Sequence, residues 1–131
     1  MIKPQRIFIP GPLPGLNELI AAAMKREGTW FGYGNIKYCW GQDVCVWLRG
    51  NYKKIPRPIP YRLWIDFTWL EPHKKRDPDN VASGGRKIIF DSMVKENIIK
   101  NDGWKQIAGW TDHFDTVKEN PGVWLCLKKA K

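Results

Sequence analysis

The segment YRLWIDFTWL, residues 61–70, decides the fold class. Tyr61, Leu63, Ile65, Phe67 and Trp69 alternate with Arg62, Trp64, Asp66, Thr68 and Leu70. A period of two in so aromatic a stretch predicts a strand buried strongly on one face. After Pro72 the pattern changes to a charged run, His73-Lys74-Lys75-Arg76, and then to Asp77-Pro78-Asp79-Asn80. These lead into a helix whose apolar positions include Ile89, Phe90, Met93 and Val94. Ser83-Gly84-Gly85 is expected to interrupt its first turns. Asn101-Asp102-Gly103 is a turn signal, and Gln106 to Thr116 and Val123 to Lys128 are expected to return to the sheet as strands.

Working outward to the N-terminal side, Arg6 to Ile9 predicts a short strand ended by Pro10, and Pro10 to Gly15 a loop, because proline donates nothing to a ladder. Leu16, Leu19, Ile20, Ala23 and Met24 recur at helical spacing until Gly28. Glu18 early and Lys25-Arg26 late suit the helix dipole. Trp30 to Gly34 is expected to be a loop, and Ile36 to Tyr52 is closer to a helical pattern than to a strand. Ile55 to Pro60, with proline at every second position, predicts an extended, polyproline-like connector. The order is α+β with no internal repeat: a single small domain with a mixed sheet and flanking helices.

A length of 131 residues fits one domain. The 22 Lys and Arg against 13 Asp and Glu leave a formal charge of +9, which favours polyanionic partners, either nucleic acid or an anionic membrane surface. No apolar run approaches the roughly 18 residues of a membrane span, and Met1 to Pro10 lacks the apolar stretch of a signal peptide, so no membrane association and a cytoplasmic location are expected. The three cysteines, Cys39, Cys45 and Cys126, have neither CxxC spacing nor a histidine nearby, and are expected to be reduced, partly buried thiols rather than a zinc site. Most of the eight tryptophans are expected in the core, with a minority free to stack on nucleobases.

The chemistry concentrates in Asp77-Pro78-Asp79-Asn80. The ring of Pro78 fixes its own φ and pushes Asp77 towards extended geometry, so two carboxylates stand close on a stiffened segment. Two such charges repel unless a proton, an arginine or a divalent cation neutralises them. Mg²⁺ suits a site with few protein carboxylates, because it keeps waters and accepts phosphate oxygens. The alternative is purely structural, with Asp79 or Asn80 capping the following helix. Asp102 likewise has two readings: a third carboxylate returning to the strand-end site, or an ordinary Asp-Gly turn residue.

Arg76-Asp77-Pro78-Asp79-Asn80, followed by Lys87 with Asp91 four residues on and by Asn101-Asp102, resembles the signature of RusA-type Holliday junction resolvases, found largely in phages and prophages. The resemblance covers Tyr61 to Thr116, with a looser likeness between Pro10 to Asn17 and the family's proline-rich loop ending in asparagine. It implies the RusA fold and a Mg²⁺-dependent endodeoxyribonuclease, with Mn²⁺ able to substitute. Asp77, Asp79 and Asp102 would then be metal ligands and catalytic residues, with Lys87 as the essential lysine. Arg76 matches a basic residue implicated in DNA contact. Two departures stand out. The stretch from Asp79 to Lys87 is about three residues longer than in the family's pattern, placed at Ser83-Gly84-Gly85 as a loop, and Asn101 replaces the first member of an acidic pair.

Bound cations would stabilise charge on a phosphodiester and lower the pKa of an attacking water, and no histidine or serine nucleophile is required. Lys87 would neutralise a phosphate oxygen or position the water, unless it is simply a solvated helix lysine; Asp91 at i,i+4 pairs with it under either reading. Lys74, Lys75 and Arg76, directly before the carboxylates, would draw phosphates to the metal, unless they are a solvated charge run. Branched DNA, in the form of four-way junctions, is the implied partner, and paired symmetric cuts imply a homodimer. The competing expectation is a non-catalytic basic nucleic-acid-binding protein whose aspartates only cap a helix and make a turn.

Overall fold

The protein is described by a computed structural model over residues 5–24, 33–51 and 57–131. Its elements run β1 (Gln5–Pro10), α1 (Leu16–Met24), α2 (Tyr33–Asn51), β2 (Leu63–Glu71), α3 (Pro78–Lys95), β3 (Ile107–Thr116) and β4 (Gly122–Lys129). The strands form one sheet in the order β1-β4-β2-β3. β4 pairs antiparallel with both β1 and β2, while β2 and β3, joined through α3, are parallel. The result is a small α+β domain with a mixed sheet and flanking helices.

The alternation of residues 61–70 sets the layers. Leu63, Ile65, Phe67 and Trp69 are buried, as are Ile7 and Ile9 of β1 and Val123, Leu125 and Leu127 of β4. They share one core with Leu19 of α1, Val44 and Leu48 of α2, and Val81, Ile88, Ile89 and Met93 of α3. All three helices therefore cover one face of the sheet. The opposite face carries Phe8, Trp64, Asp66, Trp124 and Cys126, half-buried, with Arg6 and Lys128 exposed.

The expected break at Ser83-Gly84-Gly85 does not occur, because α3 runs unbroken from Pro78 to Lys95. These glycines serve close approach. A Cβ at Gly84 would lie 2.4 to 2.5 Å from backbone atoms of Pro14, Gly15 and Leu16, and one at Gly85 would lie 2.5 Å from the Trp69 ring. The helix can rest on the loop before α1 and on β2 only where side chains are missing. Its end has a local cause as well. Asn97, at φ 57°, adopts the left-handed conformation, and the Asn97 and Ile98 amides donate to the Val94 and Met93 carbonyls. That pattern closes a helix and turns the chain, and the next residues, Ile98 and Ile99, enter the core.

Other expectations need adjustment. Tyr33 and Gly34 already belong to α2 rather than to a loop. Trp69 is the buried tryptophan among those whose burial is described, whereas Trp47, Trp110 and above all Trp104, at 91% exposure, face solvent. Trp47 lies on α2 and Trp110 on the edge strand β3, away from the core between helices and sheet. Cys45 is a buried free thiol and Cys126 a half-buried one. Lys25-Arg26, Gly28, Trp30, Ile55-Pro56 and the Cys39 side chain lie outside the described residues. Among the described residues, no helix is long and apolar enough to cross a membrane.

Candidate active site at the start of α3

Asp77 is the N-cap residue of α3, with Pro78 at the first helical position, and its φ of −68° and ψ of 148° are the extended geometry that a following proline imposes. Its carboxylate makes no capping hydrogen bond. The two capping candidates in the sequence have other partners. Asp79 accepts from the Ser83 hydroxyl at 3.2 Å. Asn80 accepts the Asn17 backbone N–H through Oδ1 at 2.6 Å, tying the start of α1 to the start of α3 across 63 residues. Asp77 and Asp79 are thus both exposed at the head of the helix.

Arg76 is committed to structure. Its Nε and Nη2 donate to the two oxygens of the buried Glu71 carboxylate at 2.9 Å each, and its Nη1 donates to the Leu13 carbonyl at 2.9 Å and to Glu18. One guanidinium fastens the end of β2, the loop before α1 and the first turn of α1. Its charge meets two carboxylates at this corner. Lys74 and Lys75 remain exposed beside it.

A shallow cavity of about 360 Å³ opens at this corner, between the chain from Glu71 to Val81 and the end of β3. His73, Lys74 and Asp77 line it together with Phe114 and Asp115. Asp115 is a carboxylate that sequence reasoning missed. It lies on no recognisable motif, and only the parallel register, which sets Leu70 opposite Asp115 and Glu71 opposite Thr116, brings it here.

Asp102 is elsewhere. It lies in the turn that follows α3 and precedes β3, where Leu63, at the beginning of β2, donates its backbone N–H to Gln106. Asp77 lies beyond the opposite end of β2. With α3 spanning 18 residues, the two ends are separated by about 26 Å of helix. The expected three-aspartate cluster does not form within one chain, and among the described residues no three His, Cys, Asp or Glu side chains gather closely enough to hold a metal ion. Asp77 and Asp79, both exposed and two residues apart at the helix start, are the carboxylates that would take a cation able to complete its shell with water and phosphate; Asp102 does not fit beside them.

Lys87 is displaced for the same reason. Because the extra residues are helical, it stands eight residues beyond Asp79, about 12 Å along the axis. It is exposed and ion-paired with Asp91 at 3.8 Å. Asp79, Ser83, Lys87 and Asp91 form an i,i+4 stripe along α3, with a polar contact between its first two and its last two members. Arg86 was also missed. It donates to Asp112 at 2.7 Å and lies over the Trp110 ring at 4.7 Å, while Asp112 accepts from the Trp69 indole.

In comparison with known proteins, no protein-family model matches the chain, and no curated protein matches it.

Proposed function

We propose that the protein is a metal-dependent endodeoxyribonuclease that nicks branched DNA. One observation carries the reading: two exposed carboxylates, Asp77 and Asp79, stand on a proline-stiffened helix start, and Asp77, whose carboxylate makes no capping hydrogen bond, lines a cavity with His73 and Lys74. Mg²⁺, or Mn²⁺ in its place, would be held by those carboxylates and would supply charge stabilisation at the phosphodiester together with an activated water. Lys74 and Lys75 would attract and orient the phosphates, and the helix N-terminus adds a favourable dipole for them. Resolution of a four-way junction requires two symmetric cuts, which calls for a homodimer.

A second reading, a non-catalytic nucleic-acid binder, is favoured by the separation of Asp102 from Asp77 and Asp79. The cation separates the two. Incubating the purified protein with a synthetic four-way junction in Mg²⁺ and in EDTA should give nicks only with the metal, and Asp77→Asn or Asp79→Asn should stop nicking while junction binding persists. Binding without cleavage in Mg²⁺ and in Mn²⁺ would establish the second reading.

A further inference from the structure

A basic concavity lies at the other end of the sheet. A cavity of about 530 Å³ is lined by Arg62, Trp64, Ala108, Lys128, Lys129 and Lys131, together with Ala130. Trp64 and Lys128 are register neighbours on the helix-free face, and Trp64 pairs with Gly109 on its other side. A Cβ at Gly109 would come within 2.5 Å of the Trp64 ring, so glycine there lets the indole lie down on β3. The Trp64 Nε1 donates to Asp66 at 3.1 Å, which fixes the ring. The result is a held aromatic surface surrounded by four cations. Among the described residues, only Lys128 of the four is ion-paired, with Asp66.

An aromatic platform with a rim of cations suits a ligand that offers a flat ring and several negative charges. Nucleic acid strands have that chemistry. Stacking requires a base face, which a duplex hides, so the occupant must be unpaired. The size agrees, since the volume lies in the range of small-ligand pockets and is too small to seat a duplex. We propose that this cavity binds an unpaired stretch of DNA strand, with a base against Trp64 and the flanking phosphates on Arg62, Lys129 and Lys131. This rests on the nucleic-acid part of the reading above and not on the metal chemistry. The cavity and Asp77 lie towards opposite ends of β2, whose nine residues span about 26 Å. A branched substrate has room to engage both.

The test is binding of a fluorescein-labelled ten-nucleotide oligothymidylate, read by anisotropy in EDTA across a salt series. Combining Arg62→Glu, Lys129→Glu and Lys131→Glu should weaken binding at least tenfold and flatten the salt slope by about two, the value for three lost contacts to a single strand. Trp64→Leu should weaken it by about fivefold or more. Trp64→Phe should retain most of the affinity, and a melt of each variant keeps stacking separate from folding. Wild-type binding by the triple variant would overturn the proposal. Unchanged binding by a folded Trp64→Leu, with inorganic polyphosphate competing as well as the oligonucleotide, would also overturn it, leaving only a charged surface. So would a charge variant that shifts the sedimentation coefficient without changing oligonucleotide binding, since the face would then belong to a second copy. Failure of the nuclease reading looks different: oligonucleotide binding stays sensitive to these variants while no Mg²⁺-dependent nick appears.

Discussion

Arg76 holds both oxygens of the Glu71 carboxylate, through Nε and Nη2 at 2.9 Å each, and both side chains are largely buried. Removing one partner leaves the other charge without compensation, which costs about 3 kcal/mol or more. Arg76→Gln should therefore lower the melting temperature sharply. Lys74→Gln and Lys75→Gln should leave the melt unchanged and reduce the salt slope of duplex binding by up to about 0.9 each. Thermal melts beside salt-dependent DNA binding check this, and an Arg76 variant with wild-type stability would remove the clamp from the account.

The glycines of α3 give a second prediction with an unusual sign. On an exposed helix, Gly→Ala stabilises by up to about 1 kcal/mol. At Gly84 the added methyl would lie 2.4 to 2.5 Å from backbone atoms of Pro14, Gly15 and Leu16, where no side-chain rotation relieves the clash. Overpacking of this kind costs about 1–3 kcal/mol, so the net effect should be destabilising. Gly50 has open space around it, and Gly50→Ala in α2 should be neutral or stabilising. Equal melts for the two variants would show that α3 does not rest on the loop as described.

These glycines also mark the limit of the sequence. β2, β3 and β4 were legible because alternation and turn residues are local signals, and so was the extended geometry of Asp77 before Pro78. Local propensity counts Gly84-Gly85 as a helix breaker, whereas here the absence of a Cβ permits tertiary contact with Pro14, Gly15 and Trp69. The positions of Lys87 and Asp102 depend on that continuity. A continuous helix carries Lys87 beyond Asp79 and fixes Asp102 at the far end, while Asp115 and the capture of Arg76 by Glu71 follow from strand register and a loop contact that no spacing records.

Asp66 should make stability fall in acid. Burial, the largest single influence, pushes its carboxyl up, but the hydrogen bonds from Lys128, Thr111 and Trp64 outweigh it and hold the group below the ordinary carboxylate value. A folded-state value below the unfolded one gives stability that is present above the unfolded pKa, about 3.9, and is lost as the pH falls through the folded value. The Arg49 hydrogen bonds hold Glu96 low in the same sense. Melts between about pH 7 and about pH 2 should show Asp66→Asn well below wild type at neutral pH and converging on it in acid. A constant gap across that range would mean that Asp66 contributes no proton linkage.

The last prediction concerns Asp102, where the resemblance and the structure part company. The resemblance gives it a metal, whereas the structure puts it beyond the C-terminal end of α3, about 26 Å of helix from Asp77. Asn tolerates turn geometry as well as Asp does, so Asp102→Asn removes the charge and leaves the turn. In the single-chain geometry that charge is too far away to ligate an ion held by Asp77 and Asp79. The expected outcome is junction nicking within a few-fold of wild type at every Mg²⁺ concentration, with an unchanged melt, while Asp77→Asn in the same assay is inactive. If Asp102→Asn is folded but inactive, the residue must reach the site from a second copy of the chain. Mixing decides that case. A heterodimer of Asp77→Asn and Asp102→Asn protomers has one fully intact site if the carboxylates meet between copies and none if they act within one. Recovery of nicking on mixing would therefore replace the single-chain site with a shared one.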